Sequence, residues 1–278
     1  MKSQRIRRIW SLFAAVFVLA SAASAQQTAS SIIPKDMGQA DIDRIIRKVT
    51  DNESQFRSAL TNYVFNRSAT VQTIGLGGNI TGTYRRDSFM TFAEDGARFE
   101  KVTFNPVSTL TEIQITPEDL EDLGGVNPFA LDPSAVASYN FTFVGMEKID
   151  ELDLYVFDVR PKVMPDPKKS KIRLFNGRIW VDKDDLLIVK SKGKAVPETK
   201  DNKFPVVETY RENIDGKYWF PTYVTANDEL VFNSGQVVHI KMNVKYTNYR
   251  QGRSDVRILD DDTPVKPDPS PSPTPKKP

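Results

Sequence analysis

The sequence predicts a mostly β fold of the α+β kind, one amphipathic helix followed by a long antiparallel meander. Three observations carry this. Apolar residues recur at helical spacing over Gln39 to Leu60. From Tyr63 the period falls to two and stays near it, and Gly, Asp and Asn cluster between the alternating runs.

Met1 to Ala25 has the layout of an export signal. Lys2, Arg5, Arg7 and Arg8 form the charged start, Ile9 to Ala20 the apolar middle, and Ala23-Ser24-Ala25 a small-residue cleavage site. The apolar run is short for a membrane span, which needs roughly 20 residues. Residues 26–38 read as a linker. The helix follows, with Ile42, Ile45, Ile46, Val49, Phe56 and Leu60 on one stripe.

Tyr63, Phe65, Ala69 and Val71 alternate up to a turn at Gly75-Leu76-Gly77-Gly78-Asn79. Ile80 to Phe92 is the next strand, and Asp95-Gly96 turns the chain into Arg98 to Phe104. Thr116-Pro117-Glu118-Asp119 starts a short helical insertion, which Gly124-Gly125 ends, with Leu120 and Leu123 turned inward as a plug or lid. Tyr139 to Met146 and Leu152 to Val159 form a hairpin around Ile149-Asp150-Glu151. Ile179 to Asp182 and Leu186 to Ser191 meet around Lys183-Asp184-Asp185. Val206 to Asn213, Tyr218 to Thr225 and Gln236 to Tyr249 complete the set, with Asp215-Gly216 as the clearest tight turn. From Asp260 to Pro278 the chain is Asp, Pro, Lys, Ser and Thr apart from Val265, expected to be an extended, disordered tail.

Composition removes several function classes. Of the 38 Lys and Arg, four lie in the signal, which leaves 34 against 36 acidic residues, a balance of −2 in the 253 residues (278 less 25) that follow it. A nucleic-acid binder is expected to carry a basic excess or patch, and only Lys168-Lys169-Ser170-Lys171 approaches one, as a solvated loop. There is no cysteine, so stability rests on a packed core, and neither a disulfide frame nor an N-terminal lipid anchor is available. His239 is the one histidine and lies in a strand pattern, which leaves serine triads, cysteine-histidine pairs and multi-histidine metal sites without their parts. Asp182, Asp184 and Asp185 fit turn chemistry. Asp260-Asp261-Asp262 lacks the spaced ligands and glycine of a calcium loop. The Gly75 to Gly78 run precedes a strand, so it is no phosphate cradle. No catalytic residue, metal or cofactor is therefore expected.

Large apolar residues remain, and in several strands they occupy both parities. Phe89, Met90, Phe92, Phe99, Phe104, Phe141, Phe143, Tyr155, Phe157, Trp180, Trp219, Phe220 and Tyr223 are spread over nearly all the strands. A sheet with apolar groups on both faces needs cover on both, or an open apolar cavity on one.

Leu174-Phe175-Asn176-Gly177-Arg178-Ile179-Trp180-Val181-Asp182, with Leu186 to Lys192 and Gly193, resembles a recurring signature of the LolA/LolB/RseB-like superfamily. Tyr210 to Thr222 and the strand ending Tyr246-Thr247-Asn248-Tyr249 resemble it as well, as does Ile149-Asp150 before Leu152 to Val159 and Pro161. The resemblance covers about residues 40 to 250 and marks hairpins rather than catalytic groups. It implies a strongly curved antiparallel sheet over residues 39–259, an unclosed half-barrel with helices covering its concave face. It also implies a non-enzymatic periplasmic protein, peripheral to the membrane and not spanning it, whose cavity takes the acyl chains of lipidated proteins or lipids. The expected lipid-binding set is Phe89, Met90, Phe92, Phe99, Phe104, Leu120, Leu123, Phe129, Phe141, Phe143, Tyr155, Phe157, Trp180, Trp219 and Tyr223, with 120–129 as lid. An envelope-stress sensor with an envelope protein partner, and an exported scaffold with a filled core, are the alternatives.

Overall fold

The computed structural model of this chain describes residues 32–93, 95–116, 119, 131, 133–170 and 172–252. The export segment 1–25, Leu120, Leu123, Phe129 and the rest of the expected lid, and the tail from 260 lie outside the described residues.

Helix α1 spans Gln39–Leu60 and buries the expected stripe of Ile42, Ile45, Ile46, Val49, Phe56 and Leu60, together with Thr50 and Glu53. Asp41 in its first turn and Arg57 in its last complement the helix dipole. Among the described residues eleven strands form one antiparallel sheet: β1 (Ile33–Pro34), β2 (Tyr63–Ile74), β3 (Ile80–Phe92), β4 (Arg98–Phe104), β5 (Tyr139–Ile149), β6 (Leu152–Pro161), β7 (Leu174–Asp182), β8 (Ile188–Val196), β9 (Val207–Ile214), β10 (Tyr218–Val231) and β11 (Val237–Gln251). Their spatial order is β1-β5-β6-β7-β8-β9-β10-β11-β2-β3-β4. Among the described residues β1 and β4 are thus the edge strands, and the sheet is not closed into a barrel. The last strand returns beside the first long one, so β11 and β2 join the two ends of the meander.

The helix, β3 and β4 have the bounds that periodicity predicts. β7 begins at Leu174 rather than Ile179, because Asn176 and Gly177 interrupt the alternation while their backbones still pair with Lys194 and Gly193. β1 falls inside the expected linker. It is two residues long and carries no period, and Gly145 makes room for it: at φ 152°, a Cβ there would lie 2.3 Å from the Ile33 carbonyl oxygen. A single α-helix is present among the described residues, where the resemblance implies several.

Register aligns the two faces in rows. On the covered face Phe143, Phe157, Ile179, Ser191, Thr209, Val224, Val244 and Ala69 lie opposite one another from β5 through to β2. On the outer face the neighbouring row is Asp158, Arg178, Lys192, Glu208, Thr225 and Asn243. The helix lies on the covered face and divides its core. Ile42 to Val49 pack with Phe157, Val159, Phe175, Ile179 and Ile188, and Phe56 and Leu60 pack with Phe65, Phe220, Val224 and Val244. Each such side chain removed from water stabilises the fold by about 1.5–3 kcal/mol.

Between the two clusters stands a buried ion pair. Arg211 of β9 donates from Nη1 to Glu53 Oε1 at 2.7 Å and from Nη2 to Oε2 at 3.1 Å, with the guanidinium 4.6 Å over the Phe56 ring. Burial pushes the Glu53 carboxyl above its usual range, against the pull of Arg211 and a hydrogen bond from the Leu131 backbone. Three elements therefore converge on one carboxylate.

Glu53→Ala takes the carboxylate away from the buried Arg211 charge, and is expected to cost about 3–5 kcal/mol. Combining Glu53→Leu with Arg211→Met removes both charges and is expected to cost less. Urea unfolding midpoints of the two variants check this ordering.

Acid sensitivity has a separate source on the sheet. Burial acts to raise Glu208 and Glu100, but hydrogen bonds from Lys190 and Tyr210 to the first, and from Arg86 to the second, hold both below the ordinary 4.5. A carboxyl with a depressed folded-state pKa binds fewer protons folded than unfolded, so its contribution is complete above 4.5 and is lost as pH falls toward the folded values. The thermal midpoint is expected to drop between about pH 5 and about pH 3, and Glu208→Gln to shrink that drop.

Candidate functional site

A cavity of about 890 Å³ opens on the covered face, beside the C-terminal end of α1. Its apolar wall comes from Val71 of β2, Val224 and Leu230 of β10, Met242, Val244 and Tyr246 of β11, Val207 of β9 and Phe175 of β7. Ile113 and Ile115, from the chain after β4, close one side.

Small residues make this space. Ser191, Gly193 and Ala195 are the β8 positions that face it, and Gly193 pairs with Gly177 of β7. A Cβ on Gly177 would stand 2.4 Å from Gly193 Cα, and one on Gly193 would stand 2.6 Å from the Asn176 carbonyl oxygen. Both would press on the edge of the Phe175 ring, at 2.8 and 2.6 Å. The strands approach too closely at this pair for any side chain, and Phe175 lies across the glycines. Where β6 and β7 carry Phe157 and Ile179 in this row, β8 carries Ser191, and the cavity opens beside it.

The mouth is polar. Arg173 pairs with Asp119 at 3.4 Å and stacks 4.7 Å over the Phe204 ring. Lys194 reaches Glu198 at 2.9 Å, and Glu198 also accepts from the Phe204 backbone at 3.3 Å. The 197–206 connection is thereby held to β7 and β8 at the rim. Thr116 and Asp119 exchange bonds of 2.9 and 3.2 Å in the reciprocal manner of a capping box. The helical insertion expected from this point lies, beyond Thr116 and Asp119, outside the described residues.

None of the expected lipid-binding residues that are described lines this cavity. Met90 and Phe157 are buried in the core on either side of the helix, with Phe141, Phe143 and Tyr155 against the same cluster as Phe157. Trp180 and Trp219 belong to a smaller cluster with Leu154, Val156 and Val189, and the Trp180 indole donates to Glu147 at 2.6 Å. Tyr223 donates to Asn243 on the outer face. Phe89 lies under Arg250, and Phe92 under Arg98. Phe99 and Phe104 are half-exposed on edge strand β4. The expected set consists of other large rings, whereas the cavity is lined by small residues of β8, by aliphatic ones and by a different aromatic group that includes Phe175 and Tyr246. The alternation of Val224 with Ala226, and of Met242, Val244 and Tyr246, was the available signal.

His239 bonds Asn227 Oδ1 at 2.7 Å in a half-buried strand position. Among the described residues no group of His, Asp and Glu could hold a metal ion, and no helix is long and apolar enough to cross a membrane.

No protein-family profile matches the sequence, and no curated protein matches it. Solved structures similar to this chain at low identity do exist. A DUF1329 family protein from Desulfovibrio piger is similar at 15% identity and a TM-score of 0.37, over 77% of this chain and 95% of that one. A putative outer membrane lipoprotein-sorting protein domain from Vibrio parahaemolyticus is similar at 12% identity and a TM-score of 0.34, over 76% and 95%. A LolA superfamily protein from Nitrosomonas europaea is similar at 13% identity and a TM-score of 0.31, over 75% and 92%.

Gly193→Ala is expected to destabilise the fold by about 1–3 kcal/mol, because the added methyl meets backbone rather than a side chain that can turn away. Ala195→Gly, at the cavity wall, is expected to cost about 1 kcal/mol or less. Denaturant unfolding of both variants measures the contrast.

Proposed function

We propose that this chain is a non-enzymatic carrier that encloses an acyl chain of a lipidated protein or a lipid in the covered-face cavity. The observation that supports this is the cavity itself, apolar at its walls, polar at its mouth and about 890 Å³ in volume. That volume falls within the roughly 300–1,000 Å³ typical of small-molecule sites. Hiding a chain of about 15 methylenes from water is worth about 12 kcal/mol at ~0.8 kcal/mol each. Such a task needs area and a mouth that tolerates a polar head, and it needs no titrating nucleophile or metal. The export-signal pattern of residues 1–25 supports a site of action outside the cytoplasm, the periplasm for a cell with two membranes.

The cargo-contacting residues of this reading are Val71, Phe175, Val207, Val224, Met242 and Val244. Ala195→Trp directs a large ring at the same space. The chain from Gln26 is expected to take up a fluorescent fatty-acyl probe saturably. Ala195→Trp is expected to weaken uptake at least tenfold with its far-ultraviolet circular dichroism unchanged, and Phe99→Ser, on the β4 edge, to leave uptake as it is. Absence of saturable uptake by the unmodified chain would reject the carrier reading in favour of a scaffold with a filled core.

A further inference from the structure

A second concavity, about 650 Å³ and open to solvent, lies on the outer face of β6, β7 and β8, lined by Asp158, Arg160, Asn176, Arg178, Trp180 and Lys192 with Gly177. It is on the opposite side of the sheet from the acyl cavity, and the Gly177–Gly193 pair separates the two.

Its charge is unbalanced. Arg160, Arg178 and Lys192 face a single lining carboxylate, Asp158. Arg178 of β7 stands directly between Asp158 of β6 and Lys192 of β8 in register. Like charges directly opposite in a sheet are destabilising, so the Arg178–Lys192 pairing needs a counter-charge. Asp158 meets Arg178 only through Nε, at 2.7 Å, and among the described residues neither terminal nitrogen of that guanidinium has a protein acceptor. Lys192 is met by Glu208 at 3.4 Å from the far side. The Arg160 guanidinium, two residues beyond Asp158 on the same strand face, and the Asn176 side-chain amide make no hydrogen bond to any described residue. Donors are thus gathered in one open concavity with fewer acceptors than they can use.

We propose that this concavity is a second binding site, for a phosphoryl group. The planar guanidinium fork suits phosphate oxygens, and a phosphate monoester, at about −1.5 to −2 near neutral pH, matches the excess of three cations over one carboxylate. Asn176 adds an uncharged donor beside Arg178. Trp180 forms the wall, its ring already covered by Lys190 at 4.8 Å, so stacking of a sugar or base on that face is blocked and recognition rests on the oxyanion. The phosphoryl group can come from a soluble phosphorylated compound or from a lipid headgroup. The site is independent of the acyl reading, and Ala195→Trp is expected to leave it intact.

The test uses isotope-labelled chain from Gln26, titrated with inorganic phosphate against sodium chloride at matched ionic strength and followed by NMR. A second arm is flotation with phosphatidylcholine vesicles, with and without phosphatidic acid. Saturating shifts at Asn176, Gly177 and Arg178, weakened at least tenfold in the combined Arg160→Gln, Lys192→Gln variant, support the site. Both replaced residues are exposed, and the variant's own spectrum reports that the fold is kept. Shifts without flotation assign it to a soluble compound, and flotation that the variant loses assigns it to a headgroup. No shift and no flotation, or equal affinity in chain and variant, overturns the proposal.

Discussion

The Glu53–Arg211 pair is the constraint on which the rest of the arrangement depends. A curved sheet and a helix packed on it can slide against each other without losing much apolar area, because hydrophobic contact is not directional. A bidentate pair in a dry interior has one geometry. It fixes both the rotation and the axial position of α1, since Glu53 lies on the same stripe as Val49 and Phe56. With the helix fixed there, its C-terminal turn lies beside the cavity, and Arg57 reaches the mouth. The Leu131 backbone bond to the same carboxylate brings the chain back to the helix just before β5. Burying charge is costly in itself; what it supplies here is position, on which the shape of the cavity rests.

Much of the fold was legible because both of its periods are local. The helix stripe from Ile42 to Leu60, and the alternation in Ile80 to Phe92 and Arg98 to Phe104, follow from which side of one element must leave water. The register was not legible. Whether Ser191 faces Thr209, or Gly177 faces Gly193, depends on turns and on the close approach of two strands, and a shift of one residue would exchange the faces. The cavity belongs to this second kind of information. It is a deficit of side-chain volume, and a deficit appears only when rows are assembled across strands. Aromatic residues drew attention because they are large, and Phe157 is buried in the core for that same reason.

The outer face follows a different rule. Its rows alternate charge and aromatic character: Asp158, Arg178, Lys192 and Glu208 in one, Trp180, Lys190, Tyr210 and Tyr223 in the next. Lys190 lies between two rings, 4.8 Å from Trp180 and 4.9 Å from Tyr210, with Glu208 as its counter-charge. Cation–π contacts and ion pairs give this solvent-facing side order without a second hydrophobic layer along its whole length. The sheet can therefore present chemically distinct surfaces on either side of a single layer of backbone.

The two free edges have a mechanical consequence. In a closed barrel, strand number and stagger set the radius, and the interior can widen only if ladder hydrogen bonds break. Here, among the described residues, β1 and β4 are bonded on one side only, and the sheet between them is a continuous sling rather than a ring. Spreading the sling changes the twist between neighbouring strands by small amounts and leaves every ladder intact. The width of the interior then depends on how far the sling opens against the grip of α1, a freedom that a closed ring of strands lacks.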